Sequence, residues 1–423
     1  MPILSACVAC GRELCARCIV RTPVGFKCGE CTGEKPVPEP RRSRPPIDAA
    51  VEPRARRRPT ALIVGLAVLL LAGGAYLAFR PTSHAVRTTV PPPTASGPTD
   101  IAVSFPGASG HQLSGDLLLP AGAGASVPAV VIVPDWGEVD RNGTVPAGSL
   151  PDPLYLDLAQ ALAHQGIASL RYDPAGQGQS TIPQGTAMRF EDQVGDADAA
   201  LKLVAGRVGI DTTRLTVVGN GWGGLAALRL AAEDHRVRRL VLISTPGRPA
   251  VESIADELQA TALTPTDGMT AVQQLRQSVT SLSAGGHLPA PASLETALRP
   301  LLPPDQEAYL RDVFGLDPAA LARTANIPAL VVRGAEDPGI SASDVQLLAG
   351  ALGPASQVLV ADHANRTLSI LTQTFAPGTT TVPTPNGGMQ NVHLPTATVT
   401  ITRDDATLAA VVRWAAFTTS SAG

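Results

Sequence analysis

Leu215-Thr216-Val217-Val218-Gly219-Asn220-Gly221-Trp222-Gly223-Gly224 is the stretch on which the reading of this chain turns. Leu215–Val218 is a short apolar, β-branched run of the kind that forms a buried strand. Glycines follow at 219, 221, 223 and 224, and an Ala/Leu pattern at helical spacing continues to Glu233. Strand, sharp turn and helix in that order make the frame of G-x-S-x-G, a turn that lifts its central serine out as a nucleophile. Here Gly221 stands in the serine slot. Glycine has no oxygen to attack a carbonyl and no proton to hand to a base. It does enter the left-handed backbone region at little cost, so the turn is expected to survive while the reagent is gone.

Outward from this turn, short apolar runs alternate with helical patterns, which predicts an α/β fold with a largely parallel sheet. Ile101–Phe105 and Gln112–Leu119 read as an opening hairpin. Ala129–Val133, Ala168–Tyr172, Leu215–Val218, Arg239–Ile243, Ala329–Val332 and Gln357–Val360 read as buried strands. Tyr155–Gln165, Phe190–Val204, Gly224–Glu233, Ser343–Ala351 and Asp404–Phe417 read as helices. Residues 250–322 are helical and poor in strand signals, so they are expected to form a cap inserted between two strands. The Thr/Pro/Gly-rich segment Leu371–Arg403 reads as a long polar loop near the mouth of the site.

Several motifs occur in order along residues 105–365: Gly137-Glu138-Val139-Asp140-Arg141-Asn142-Gly143, then the segment 157–180 ending RYDPAGQGQS, then Phe190-Glu191-Asp192. Together they resemble bacterial serine esterases and peptidase-like enzymes of the α/β-hydrolase family. That resemblance implies a serine, an acid and a histidine in that chain order. Asp337, just past the strand Ala329–Val332, matches the acid, and His363, past the strand Gln357–Val360, matches the base. The oxyanion hole would use the backbone N–H of Trp222 and one from Pro134-Asp135-Trp136-Gly137, here assigned to Trp136. Family members often begin that loop His-Gly, whereas this chain has Pro134-Asp135. Trp222 is expected to fill space that a substrate acyl group would take. Ser180 and Ser244 read as turn hydroxyls, and no H-E-x-x-H spacing points to a metal in this region.

The N-terminal part is a different kind of sequence. Residues 1–60 carry 12 Lys+Arg and 6 Asp+Glu, whereas the rest of the chain has an excess of acidic residues. All six cysteines lie within residues 7–31 as three C-x2-C pairs: Cys7 and Cys10, Cys15 and Cys18, Cys28 and Cys31. Such pairs present two thiolates to one ion, and two pairs close a tetrahedral zinc site. The run resembles the B-box-like zinc ribbon found before bacterial rhomboid-type proteins. On that resemblance Cys7, Cys10, Cys28 and Cys31 share one zinc, while Cys15 and Cys18 lack the partner pair that the family carries upstream. Zinc is therefore the expected cofactor of a module at residues 5–33, and no cofactor is expected in the hydrolase-like part.

Residues 34–59 read as a basic, disordered linker and residues 81–100 as a Pro/Thr-rich stalk. Between them, residues 60–79 form a 20-residue run without a charge, long enough at about 1.5 Å per residue to span a bilayer core. Arg54, Arg56, Arg57 and Arg58 precede it, which places the N-terminus in the cytoplasm and residues 81–423, with the hydrolase-like part at 101–420, outside. An arginine block beside an anchor sets topology, so no nucleic-acid partner is expected. The whole predicts a membrane-anchored α/β-hydrolase relative, catalytically impaired, that binds or senses a small-molecule or acyl ligand. Two other readings stay open: a working hydrolase with another nucleophile, and a scaffold whose zinc module binds a cytoplasmic protein.

Overall fold

A computed structural model describes residues 97–122, 126–137, 139–144, 152–376, 379–383, 389–393 and 396–417, together with four N-terminal strands. Those strands are β1 (Ile3–Ala6), β2 (Glu13–Cys15), β3 (Ile19–Thr22) and β4 (Gly25–Cys28). β1 pairs antiparallel with β2 and β3 with β4, with Ile19 opposite Cys28. They belong to a unit of residues 1–88, separate from the unit 89–423. Cys7, Cys10, Cys18 and Cys31, the linker 34–59, the apolar run 60–79 and residues 81–96 of the expected stalk lie outside the described residues, while the last two residues of that stalk, Thr99 and Asp100, open a strand instead, paired with Leu119 and Leu118. Among the described residues no helix is long and apolar enough to cross a membrane.

The larger unit is built on a sheet of eight strands. β5 (Thr99–Pro106) and β6 (Gln112–Leu119) form the antiparallel hairpin at one edge. β7 (Val127–Val133), β8 (Ala168–Tyr172), β9 (Ile210–Asn220), β10 (Val237–Ile243), β11 (Ala329–Gly334) and β12 (Gln357–Ala361) run parallel to one another. Their order in space is β12-β11-β10-β9-β7-β8-β6-β5. The chain thus steps from β7 to β8 on one side and returns to β9 on the other. Loops leaving β7 and β9 part at that reversal and open a crevice at the carboxyl ends of the strands.

The reason for a parallel sheet lies in the strand sequences. In β7, Ala129, Val131 and Val133 enter one core while Val130 and Ile132 enter the other, and all five are buried. A strand apolar on both faces needs a helix layer on each. One layer comprises α1 (Leu154–His164) and α9 (Asp405–Ala415), which bury Leu158, Leu162, Leu408 and Val411. The other holds α2 (Phe190–Ala205), α3 (Gly223–Glu233), α7 (Pro318–Ala325) and α8 (Ala342–Leu352). Each fully buried leucine contributes about 1.5–3 kcal/mol. The start of α8 is closed by a capping box: the Ser341 hydroxyl accepts from the Asp344 N–H, and the Asp344 carboxylate accepts from the Ser341 N–H.

Between β10 and β11 lie α4 (Ala250–Thr261), α5 (Pro265–Ser283) and α6 (Glu307–Phe314), within the stretch where the sequence places a cap. The predicted cap ran to residue 322, but α7 packs on α3 and α8 and so belongs to the body. The segment 371–403 also differs from the predicted loop. β13 (Ser369–Ala376) pairs antiparallel with β16 (Thr396–Arg403), enclosing the hairpin of β14 (Thr379–Pro383) and β15 (Met389–His393). Its threonines are β-branched and suit extended backbone, a preference outweighed in the sequence reading by the prolines and glycines. Arg403 fastens the base of this arm, donating to Asp152 at 2.7 Å and to Asp157 at 2.8 Å.

Candidate active site

Gly221 sits at the end of β9 with φ +54°, and its N–H donates to the Ile243 carbonyl at 2.9 Å. The turn has the left-handed centre that the sequence frame predicts. It is also tightly packed: a Cβ on Gly224 would fall 1.9 Å from the Thr245 hydroxyl. A Cβ on Gly221 would lie 2.1 Å from both Cγ and Oδ2 of Asp135. The volume that a side chain at the nucleophile position would need is therefore filled by a carboxyl group from the loop after β7.

Asp135 is held there by both expected oxyanion donors. The N–H of Trp222 and the N–H of Trp136 each donate to Asp135 Oδ1 at 2.8 Å. So Trp222 and Trp136 do converge on one point, and the oxygen at that point is the protein's own. Trp222 precedes α3, so the helix dipole adds to the attraction for this anion. The β7 loop is tied to the elbow as well: the Asp135 N–H donates to the Tyr155 hydroxyl at 3.0 Å, which donates to Asn220 Oδ1 at 2.9 Å. Burial pushes the Asp135 carboxyl up to about 6, against the lowering pull of the Arg366 charge and the two N–H donors.

Asp337 follows β11 and is buried beneath the site. Its Oδ1 accepts from the N–H groups of Gly339 at 3.0 Å and Ile340 at 3.3 Å, while Oδ2 is buried with no partner. His363, matched to the base by sequence, is exposed on the turn after β12, with φ +61°, and makes no hydrogen bond to Asp337. The residue of that turn that reaches Asp337 is Arg366. Its Nη2 lies 3.5 Å from Asp337 Oδ1 and 2.6 Å from Glu257 Oε2 of α4. Burial opposes the guanidinium charge, but Asp337 and Glu257 outweigh it and hold Arg366 above the ordinary arginine range. A guanidinium so held cannot take a proton, so the acid–base relay expected of Asp337 and His363 is not assembled. The physical reason is the turn itself, which points residue 363 to solvent and carries the chain on to residue 366 before it faces inward.

Trp136, Trp222 and Tyr309 of α6 stack with centroids 4.9 to 6.2 Å apart, and Phe314 meets Trp222 edge-on at 6.3 Å. Trp136 Nε1 donates to Gln306 at 2.8 Å and the Tyr309 hydroxyl to Gln193 at 2.6 Å, so the cap is fixed over the elbow by polar contacts too. Beside this stack remains a cavity of about 200 Å³, lined by Asp135, Gly221, Trp222, Ile254, Leu301 and Arg366 among others. Ser244 also faces it, but its hydroxyl donates to the Arg366 carbonyl at 3.0 Å. Ser180 donates to the Asp173 carbonyl at 2.8 Å and is a turn residue as expected.

Sequence reading missed Asp135 and Arg366. A signal for the first was present: Pro134-Asp135 replaces the usual His-Gly start at the point where Gly221 removes a side chain. Arg366 carried none, because only the path of the turn selects it over His363.

Residues 153–283, which span α1 to α5, match the family described as serine aminopeptidase, S33. The chain is 27% identical over 245 residues to esterase EstD of Thermotoga maritima, covering 56% of this chain and 53% of that one. It is 27% identical over 141 residues to the polyketide transferase claH of Penicillium crustosum, covering 33% and 42% respectively. It thus spans about half the length of these relatives. Among solved structures, the α/β-hydrolase GrgF from Penicillium sp. sh18 aligns with a TM-score of 0.44 at 17% identity, over 63% of this chain and 91% of that one. With the turn at Gly221 after β9, the N–H groups of Trp222 and Trp136 converging beside it and helices over both, this chain has the α/β-hydrolase fold and is similar to members of that family, with esterase-like homologues.

Proposed function

We propose that this protein is a catalytically impaired member of its family, in which the former active site serves as a ligand-binding pocket. One observation carries the reading: the carboxyl of Asp135 fills the nucleophile's place and consumes both oxyanion donors. A substrate carbonyl would find neither an attacking oxygen nor a free N–H pair. Arg366 at Asp337 supports the same conclusion, since a guanidinium stands where a base would be needed and His363 is exposed on the turn. The rest of the proposed architecture is a cytoplasmic zinc module, the membrane span at 60–79 and an extracytoplasmic hydrolase-like domain. Its support is the charge asymmetry, the uncharged run and the three C-x2-C pairs. For the zinc module, Cys15 and Cys28 each close a strand of a hairpin pair, a placement that suits zinc-knuckle ligands. When bound, zinc would supply folding energy rather than chemistry.

Labelling with a fluorophosphonate probe tests the reading. The natural chain is expected to stay unlabelled, and so is Gly221→Ser, because Arg366 and not an imidazole stands at Asp337 and the new hydroxyl has no base. Labelling is expected only when Gly221→Ser is combined with Asp135→Gly and Arg366→His. Covalent labelling of the natural chain would overturn the proposal.

A further inference from the structure

Resting on the reading of a binding pocket, the charges around the cavity point to what it binds. Among the described residues Arg366 is the one cation lining it, and that charge is matched by Glu257 at 2.6 Å and by Asp337 at 3.5 Å. Two carboxylates already face one guanidinium. Asp135 is a third, and its Oδ2 accepts no hydrogen bond among the described residues, since both N–H donors go to Oδ1. The anion position before α3 is thus occupied, and an incoming anion would meet Asp135 itself.

Ser253 of α4 provides an independent indication. It lines the same cavity, is 5% exposed, and its hydroxyl has no partner. A buried hydroxyl without a partner forfeits a hydrogen bond that a ligand can supply. Apart from Ser244, whose hydroxyl is committed to the Arg366 carbonyl, the rest of the wall, including Trp222, Ile254, Leu301 and Ile340, is apolar.

We propose that the cavity binds a small primary amine, its ammonium held by Asp135 Oδ2 and the Ser253 hydroxyl and its apolar part packed against Trp222, Ile254 and Leu301. An ammonium carries several donors and no acceptor, so it satisfies a carboxylate and a hydroxyl together. Its charge offsets the cost of burying Asp135, which an alcohol cannot do. A carboxylic acid of the same size would add a fourth negative group.

Calorimetric titration of the full chain with butylamine, butanol and butyrate at about pH 7.5 tests this. Butylamine is expected to bind at least about tenfold more tightly than either analogue, with Asp135→Asn lowering its affinity by about tenfold and Ser253→Ala by less. The titratable groups around Asp135 are Arg366 and Asp337, Glu257 on the same cavity wall, the hydroxyl of Tyr155 behind the loop and Tyr309 of α6. Amine affinity should fall between about pH 7.5 and 5 as Asp135 takes a proton, and that fall should persist in Glu257→Gln and vanish in Asp135→Asn. Equal affinity for butanol and butylamine in the natural chain, a comparison needing no variant, would overturn the inference. So would unchanged amine binding in a folded Asp135→Asn. Fluorophosphonate labelling of the natural chain would instead sink the reading of impaired catalysis and leave amine binding standing.

Discussion

Replacing Gly221 by serine restores the motif on paper, and the structure sets what it should cost. The backbone at 221 has φ +54°, where a non-glycine residue loses roughly 1–2 kcal/mol. The new Cβ would stand 2.1 Å from the Asp135 carboxyl, so that group must leave. Leaving breaks two hydrogen bonds from N–H donors to a charged acceptor, worth about 1.5–3 kcal/mol each before water or the serine hydroxyl replaces part of them. A total loss of about 3–5 kcal/mol is expected for Gly221→Ser in the natural chain. In an Asp135→Ala background the obstruction is absent, and only the backbone cost of roughly 1–2 kcal/mol should remain. Urea unfolding followed by tryptophan fluorescence reads this directly, because all three tryptophans (Trp136, Trp222 and Trp414) lie in the hydrolase-like domain. The four-variant cycle should give a coupling of about 2–3 kcal/mol. If serine costs the same in both backgrounds to within about 0.5 kcal/mol, Asp135 does not occupy the nucleophile's place and the reasoning fails.

Three further outcomes are expected. Asp135 keeps its proton up to about pH 6 when folded but loses it near 4 when unfolded, so its contribution to stability declines as pH rises through that window. Asp135→Asn, which keeps an acceptor for both N–H groups, should therefore raise the melting temperature at pH 7.5 and leave it almost unchanged at pH 4; a larger gain at pH 4 would refute the assignment. Arg366→Ala should destabilise by roughly 1.5–3 kcal/mol by leaving Asp337 buried without its cation, and adding Asp337→Asn should recover part of that loss in the same urea assay. Elemental analysis of the purified full chain should find bound zinc, lost in Cys28→Ser together with Cys31→Ser; an unchanged zinc content in that variant would count against the module.

The α/β class, the location of each strand in the sheet and the glycine at the turn after β9 were legible in the sequence. Each rests on local chemistry: β-branched apolar runs such as Ala129–Val133 form strands wherever helices cover both faces, and glycine lacks a hydroxyl in any setting. The β13–β16 arm escaped because its prolines and glycines argue for coil, while strand pairing is a long-range contact that composition does not report. Tertiary structure alone decided what fills the gap. Asp135 and Gly221 stand 86 positions apart in the sequence, yet β7 and β9 are adjacent in the sheet, so their loops meet. The same holds for the choice of Arg366 over His363. Both lie on one short turn, and a rotation of the backbone settles which side chain faces the buried carboxylate and which faces water.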